Sequence, residues 1–206
     1  MATYFIHFVI GFLMAFIGLL SPGLLTMTTL SVAVNRGQRK ALLFAVGVVF
    51  PIIIQAHLAL LGAEYLKNHP EIIKNFSKIA VFVFFAMAFV FYRQYKQRNA
   101  LSQRKYNIRN SFLYGVFIST INPLAIPFYF TYSTLLEMQD ILVLQQPMVS
   151  IFVGGAILGA FTILYIYGRN AVVLFNKIQF LAKNFKLLMA VGMFILGLAS
   201  LYNSLR

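Results

Sequence analysis

Two short stretches hold the groups best suited to binding chemistry: Ser21-Pro22-Gly23 within "IGLLSPGLLTMTT", and Asn122-Pro123 within "ISTINPLAIPFY". Each proline sits in a long uncharged run, where it withholds a backbone N–H and its ring displaces the carbonyl four residues earlier. Pro22 thereby frees the Gly18 carbonyl and Pro123 that of Ser119, while Pro51 and Pro127 act likewise on Gly47 and Pro123. Unpaired carbonyls are costly in hydrocarbon and are tolerated where they face protein or a water-filled cavity. A helix broken near the midplane also presents half-helix ends, one suited to a carboxylate and the other to a cation. The two prolines outline a binding site.

The side chains around them extend that outline. Ser119, Asn122, Tyr129 and Ser133 recur at helical spacing as one polar stripe, which also holds Ile126. On the preceding apolar helix Gly47, Pro51, Gln55 and Gly62 share a face, so Gln55 is read as site-facing. His57 points toward the Phe50-Ile54-Leu61 side and is read as satisfied by a neighbouring helix. It is also the one near-neutral titrating side chain well inside a span. The candidate substrate-binding set is Ser21, Pro22, Gly23, Gln55, Ser119, Asn122, Pro123 and Tyr129. Ser21 with His57 has no third orienting group for hydrolysis, so no catalytic residue is assigned. With no Cys, and no Asp or His cluster in the spans, neither a metal site nor a cofactor is expected.

The elements that position these residues follow from composition. At 61% hydrophobic and 10% charged, the chain reads as an all-α integral membrane protein. Six stretches approach the ~20 apolar residues needed to span a bilayer: Tyr4-Val34, Ala41-Gly62, Phe76-Tyr92, Asn110-Leu136, Met148-Gly168 and Leu187-Leu205. The third has an uncharged core of only Ile79-Tyr92, with Lys78 and Arg93 placed to snorkel. The two proline-bearing runs would make helices of ~46 Å and ~40 Å, longer than the hydrocarbon core. "MATYFIHFVIGF" lacks a basic n-region and a small-residue cleavage site, so the first helix is expected to be retained.

Charge sets the orientation. With the N-terminus outside, thirteen of the seventeen Lys and Arg fall on the cytoplasmic side, among them Arg36, Arg39, Lys40, Arg169 and those of 93–109. The other side holds Lys67, Lys74, Lys78 and Arg206. Topology therefore accounts for the net charge of +13, and nucleic-acid binding is excluded. Both termini are expected outside, N-out/C-out. Three spans followed by three enter the membrane from opposite sides, giving six transmembrane helices as two inverted three-helix repeats. The expected organisation is a single transmembrane domain over 1–206, with repeats at 1–92 and 110–206 and a basic cytoplasmic linker at 93–109. Laying Pro22 on Pro123 pairs Ser21 with Asn122. Gly155 and Gly159 form a small-residue face for close helix packing, which is also the one contact offered for a homodimer.

"GFLMAFIGLLSPGLLTMTTLSVAVNRGQRKA", "AVGVVFPIIIQAHLALLG", "FLYGVFISTINPLAIPFYF" and the tail from Gly159 through Gly192 and Gly197 resemble the LysE/RhtB family of amino-acid exporters across essentially the whole chain. Pro22, Gly23, Gly37 and Arg39 stand for the family's Pro-Gly and basic turn, and Gly115, Asn122 and Pro123 for its Asn-Pro block. The chain departs from the family pattern at Leu24 and Leu25, where a proline and a polar residue are usual. It departs again at Leu124, often Lys, and at Gln55, often His.

The resemblance implies a multi-pass protein of the bacterial inner membrane that exports amino acids or similar small metabolites, driven by the proton gradient. The residues narrow the substrate. Glu64, Glu71, Glu137 and Asp140 all lie at span ends or in loops, so no midplane carboxylate awaits a cationic side chain and a neutral amino acid is favoured. Its carboxylate is expected near Gly23 and Leu124, and its ammonium at the Gly18 and Ser119 carbonyls with Asn122 and Gln55. The alternatives are a non-transporting membrane scaffold of the same fold and an exporter of another solute such as a metal ion.

Overall fold

The computed structural model describes residues 2–96 and 110–205; of the linker expected at 93–109, residues 97–109 lie outside the described residues. All described regular structure is helical: α1 (Ala2–Gly18), α2 (Leu24–Arg36), α3 (Gln38–Asn68), α4 (Pro70–Lys96), α5 (Ser111–Thr120), α6 (Ala125–Glu137), α7 (Met148–Arg169) and α8 (Ala171–Leu205). Asn110 starts α5 by accepting from the Phe112 and Leu113 amides at 3.0 and 3.4 Å, satisfying two otherwise orphaned donors.

Among the described residues, α3 and α7 are each long and apolar enough to cross a membrane. The pair α5 and α6, bent by 58° at their break, qualifies as one span. Thr3–Gly18, Phe84–Arg93 and Leu187–Ala199 are shorter apolar helices.

Four phenylalanine-glycine pairs at three-residue spacing set the packing: Phe8-Gly11, Phe44-Gly47, Phe112-Gly115 and Phe152-Gly155. A Cβ on Gly11 would collide with the Phe152 carbonyl, and one on Gly155 with that of Phe8. Gly47 meets the Phe112 carbonyl and Gly115 that of Phe44 in the same reciprocal way. Absence of a side chain lets the backbones approach to contact. Gly159 meets the Phe12 carbonyl, so the Gly155–Gly159 face is consumed by α1 within the chain and is not available for a homodimer.

Contacts further along fix the directions. Tyr167 reaches Leu20, so α1 and α7 run parallel; Gln55 reaches Ser119, so α3 and α5 do too. Gln38 bonds the Arg169 carbonyl while His57 faces Ser150, so α3 and α7 are antiparallel. Helix α1 therefore runs opposite to α5. Helices α4 and α8 pack on each other through Met87, Phe91 and Ala190, with Phe85 edge-on to Phe194 at 5.5 Å.

One expectation is corrected here. The Tyr4–Val34 run is not a long helix broken at its middle. Its break lies beside the last turns of α7, where Tyr167 bonds Leu20 and Gly168 meets Thr29 and Ala41. Beyond it, α2 packs on α3, α7 and α8 with Leu25 through Leu30 buried. The surplus length thus becomes a separate helix filling the basic end of the bundle, because Ser21-Pro22-Gly23 cannot continue α1.

Candidate functional site

At the first break the freed backbone groups find partners. Ser21 Oγ donates to the Gly18 carbonyl at 3.3 Å, and Tyr167 Oη donates to that of Leu20 at 2.6 Å. The fully buried Thr26 accepts from the Gly23 amide at 2.9 Å and lies 3.2 Å from the Ser21 carbonyl. Gly23 is the N-cap of α2, Pro22 precedes it, and both are half-buried.

At the second break Gln55 Nε2 donates to the Ser119 carbonyl at 3.0 Å, which also receives the Asn122 amide at 3.1 Å. Ser119 Oγ, fully buried, returns a bond to the Val48 carbonyl at 2.8 Å. Asn122 Oδ1 accepts from the Leu124 amide at 3.3 Å and so starts α6; Pro123 beside it is exposed. Tyr129 is buried, edge-on to Phe128 and Phe152 at 5.5 and 6.3 Å. The expected polar stripe survives at Ser119, Tyr129 and Ser133, but Ile126 is exposed because the bend turns α6 relative to α5.

The structure therefore gathers Gln55, Ser119, Asn122 and Pro123 at one break, with Tyr129 further along α6 against Phe128 and Phe152, and Ser21, Pro22 and Gly23 at the other. Phe128 connects the two groups. Its ring tip would lie 2.7 Å from a Cβ on Gly18, so a side chain there would have to push the ring aside. The Gly18 and Ser119 carbonyls are not vacant, as the sequence suggested, because Ser21 and Gln55 occupy them. Gln55 itself is buried at 8% exposure, and its Oε1 has no hydrogen-bond partner among the described residues. His57 Nδ1 bonds the Ile53 carbonyl of its own helix at 2.8 Å, and Nε2 lies 3.5 Å from Ser150 of α7.

Phe128, Thr26 and Tyr167 were missed by the sequence reading. Thr26 had a signal, a hydroxyl residue three positions past the Pro-Gly helix start. Tyr167 and Phe128 had none, since their roles come from which backbone they meet.

Charge separates to the two ends. Arg36, Arg39, Lys40 and Arg169 mark one, where a cavity of about 190 Å3 is lined by Arg39, Leu42, Tyr165 and Arg169 and by none of the candidate site residues. The other end carries Glu64, Asp140 and the Lys67–Glu137 ion pair. The hydrogen bond and charge of Glu137 hold the Lys67 ammonium above its usual range. Among the described residues no three of His, Cys, Asp and Glu converge on a point that could hold a metal.

Apolar helices of spanning length, one of them bent at a proline break inside the bundle, define a multi-pass membrane protein. The family model for LysE type translocator matches residues 16–204, and the chain belongs to that family. Membership makes it a membrane transporter that exports small solutes across the lipid bilayer rather than an enzyme. Comparison with curated proteins and with solved structures gives no match.

Proposed function

We propose that the chain exports neutral amino acids from the cytoplasm of a bacterial cell, across the inner membrane and against a coupled inward flow of protons. The substrate sits between the two helix breaks. Its ammonium is held by the Gln55 Oε1 and by the Ser119 carbonyl that Gln55 Nε2 now covers, and its carboxylate faces the N-termini of α2 and α6 near Gly23 and Leu124, with Ser21, Pro22, Asn122, Pro123 and Tyr129 shaping the site.

The observation that carries this reading is the Gln55 Oε1: a buried acceptor with no partner costs free energy unless something donates to it. An ammonium is such a donor. It would add to the Oε1 or displace Gln55 Nε2 from Ser119, which makes the present arrangement a closed form of the site. The absence of carboxylates from both breaks favours neutral over cationic substrates.

Six spans, arranged as inverted repeats over 1–92 and 110–206, fit the packing. Exchanging the halves carries the α1–α7 contact onto α5–α3 and leaves α4–α8 as itself, and the phenylalanine-glycine pairs follow the exchange. Opposite directions of α1 and α5 are what inversion requires. The basic end is assigned to the cytoplasm, which places both termini outside.

The test is amino-acid efflux from bacterial cells loaded with mixed dipeptides, read by mass spectrometry of the medium. Release of neutral amino acids that is lost in Asn122→Ala, at matched expression, supports the reading. Preferential release of lysine or arginine overturns the substrate class. Profiles identical to empty vector move the function to another solute or to a scaffold role.

A further inference from the structure

A second histidine, His7, carries geometry that the transport site does not use. It lies in the second turn of α1 with 1% of its surface exposed. The Val143 amide donates to its Nε2 at 2.9 Å, so that nitrogen carries a lone pair. Nδ1 therefore holds the proton, and it donates to the Thr3 carbonyl at 2.7 Å. Both nitrogens are committed, and the ring is held as one neutral tautomer.

The partner matters because of where it sits. Val143 belongs to segment 138–147, which joins α6 to α7, and its neighbours Leu142 and Leu144 are buried at 3% and 5% in the main core. The backbone between these two anchors has its inward amide satisfied by His7 alone. The segment closes the bundle end opposite the basic cluster, the end assigned above to the outside.

We propose that His7 is the positioning residue through which an external proton acts on the transporter. Protonation adds a hydrogen to Nε2, turning the acceptor of the Val143 N–H into a second donor facing it. The bond is lost, two buried donors oppose each other, and segment 138–147 lifts from α1. Little else nearby competes for that proton. Among the described residues helix α1 packs mainly on α7, whose facing turns, from Met148 to Gly159, carry no titratable side chain, and the α6 ring that meets α1 at Gly18 is the apolar Phe128. The segment itself contributes Asp140, exposed, with Glu137 just before it paired to Lys67; α1 contributes Tyr4, also exposed. The coupling to transport rests on the exporter reading; the latch does not.

The experiment is hydrogen exchange of the Val143 amide in the full chain in lipid nanodiscs from pH 8 to pH 4.5, corrected for intrinsic rates, alongside efflux at varied external pH. In the wild type, opening should rise as pH falls, by up to about tenfold per pH unit, the slope of one linked proton. His7→Gln, which keeps an acceptor but cannot titrate, should flatten that slope and the pH dependence of efflux together. A flat wild-type profile, or the same slope in His7→Gln, overturns the latch; the wild-type series decides this by itself should the variant not fold. An intact slope with an unchanged efflux profile in His7→Gln overturns the coupling. An intact slope with no amino-acid efflux at any pH overturns the exporter reading and leaves the latch standing.

Discussion

Gln55 and Ser119, sixty-four residues apart, share one hydrogen bond of 3.0 Å in which a side chain of α3 takes over the carbonyl at the α5–α6 break. Tyr167 of α7 does the same for Leu20 at the α1–α2 break. Each break is thus held by a long helix from the other half of the sequence. A transport cycle that moves one half against the other has these two bonds to break.

Gln55→Leu keeps a side chain of similar size and removes both the acceptor and the donor of the amide. Folding stability should change by about 1 kcal/mol, because the Ser119 carbonyl keeps the Asn122 amide and the unsatisfied Oε1 disappears as well. Efflux should fall by about tenfold or more, since the loss of an ammonium contact is a loss of binding. Thermal unfolding in detergent and initial efflux rates separate the two; parallel losses in both would reduce Gln55 to a structural role.

The glycine contacts make a sharper stability prediction. Gly47→Ala or Gly11→Ala puts a methyl group into a facing backbone carbonyl, which cannot move aside without parting the helices. Each should cost about 1–3 kcal/mol or more. Gly154→Ala and Gly192→Ala, where nothing lies within 4 Å, should be neutral in the same thermal assay.

How much of this was legible beforehand divides along a physical line. Apolar helical runs and the proline breaks are properties of single segments, and composition and periodicity report them. Run length could not tell a long broken span from a span followed by a lateral helix, so α2 was read as part of the first. The phenylalanine-glycine pairs were invisible for a related reason: glycine at 11 or 47 matters only through the carbonyl it meets on another helix. His7 was not singled out, because the Val143 amide that gives it a role lies one hundred and thirty-six residues away.

Gly18→Ala should disturb transport more than folding. The new Cβ would lie 2.7 Å from the tip of the Phe128 ring, a side chain free to swing aside. The bundle keeps its backbone contacts, but the link between the two breaks is lost. Efflux is expected to drop severalfold with a small change in unfolding temperature; Phe128→Leu should restore part of it by making room.

The Lys67–Glu137 pair predicts where pH will not act. Lys67 is exposed, and its pKa is raised from 10.5 by the Glu137 hydrogen bond and charge. A raised folded-state value means that the stabilisation is complete below 10.5 and fades only as pH climbs through the higher value. Lys67→Gln should therefore leave the shape of the stability profile between pH 5 and 9 unchanged. A distortion of that profile on removing Lys67 would assign the pair a role in acid sensing that the geometry gives to His7.

Orientation is the prediction on which the direction of transport depends, and the chain suits its test because it contains no cysteine. Single cysteines at Arg39 and at Gln139 are both exposed and lie at opposite ends of the bundle. With a membrane-impermeant maleimide on intact cells, Gln139→Cys should label and Arg39→Cys should label only after lysis. Inward placement of the basic cluster would then agree with the excess of Lys and Arg on that side, and it would set His7 and segment 138–147 facing the medium. The reverse pattern would turn the protein over, putting the His7 latch in the cytoplasm, where an inward proton gradient cannot load it.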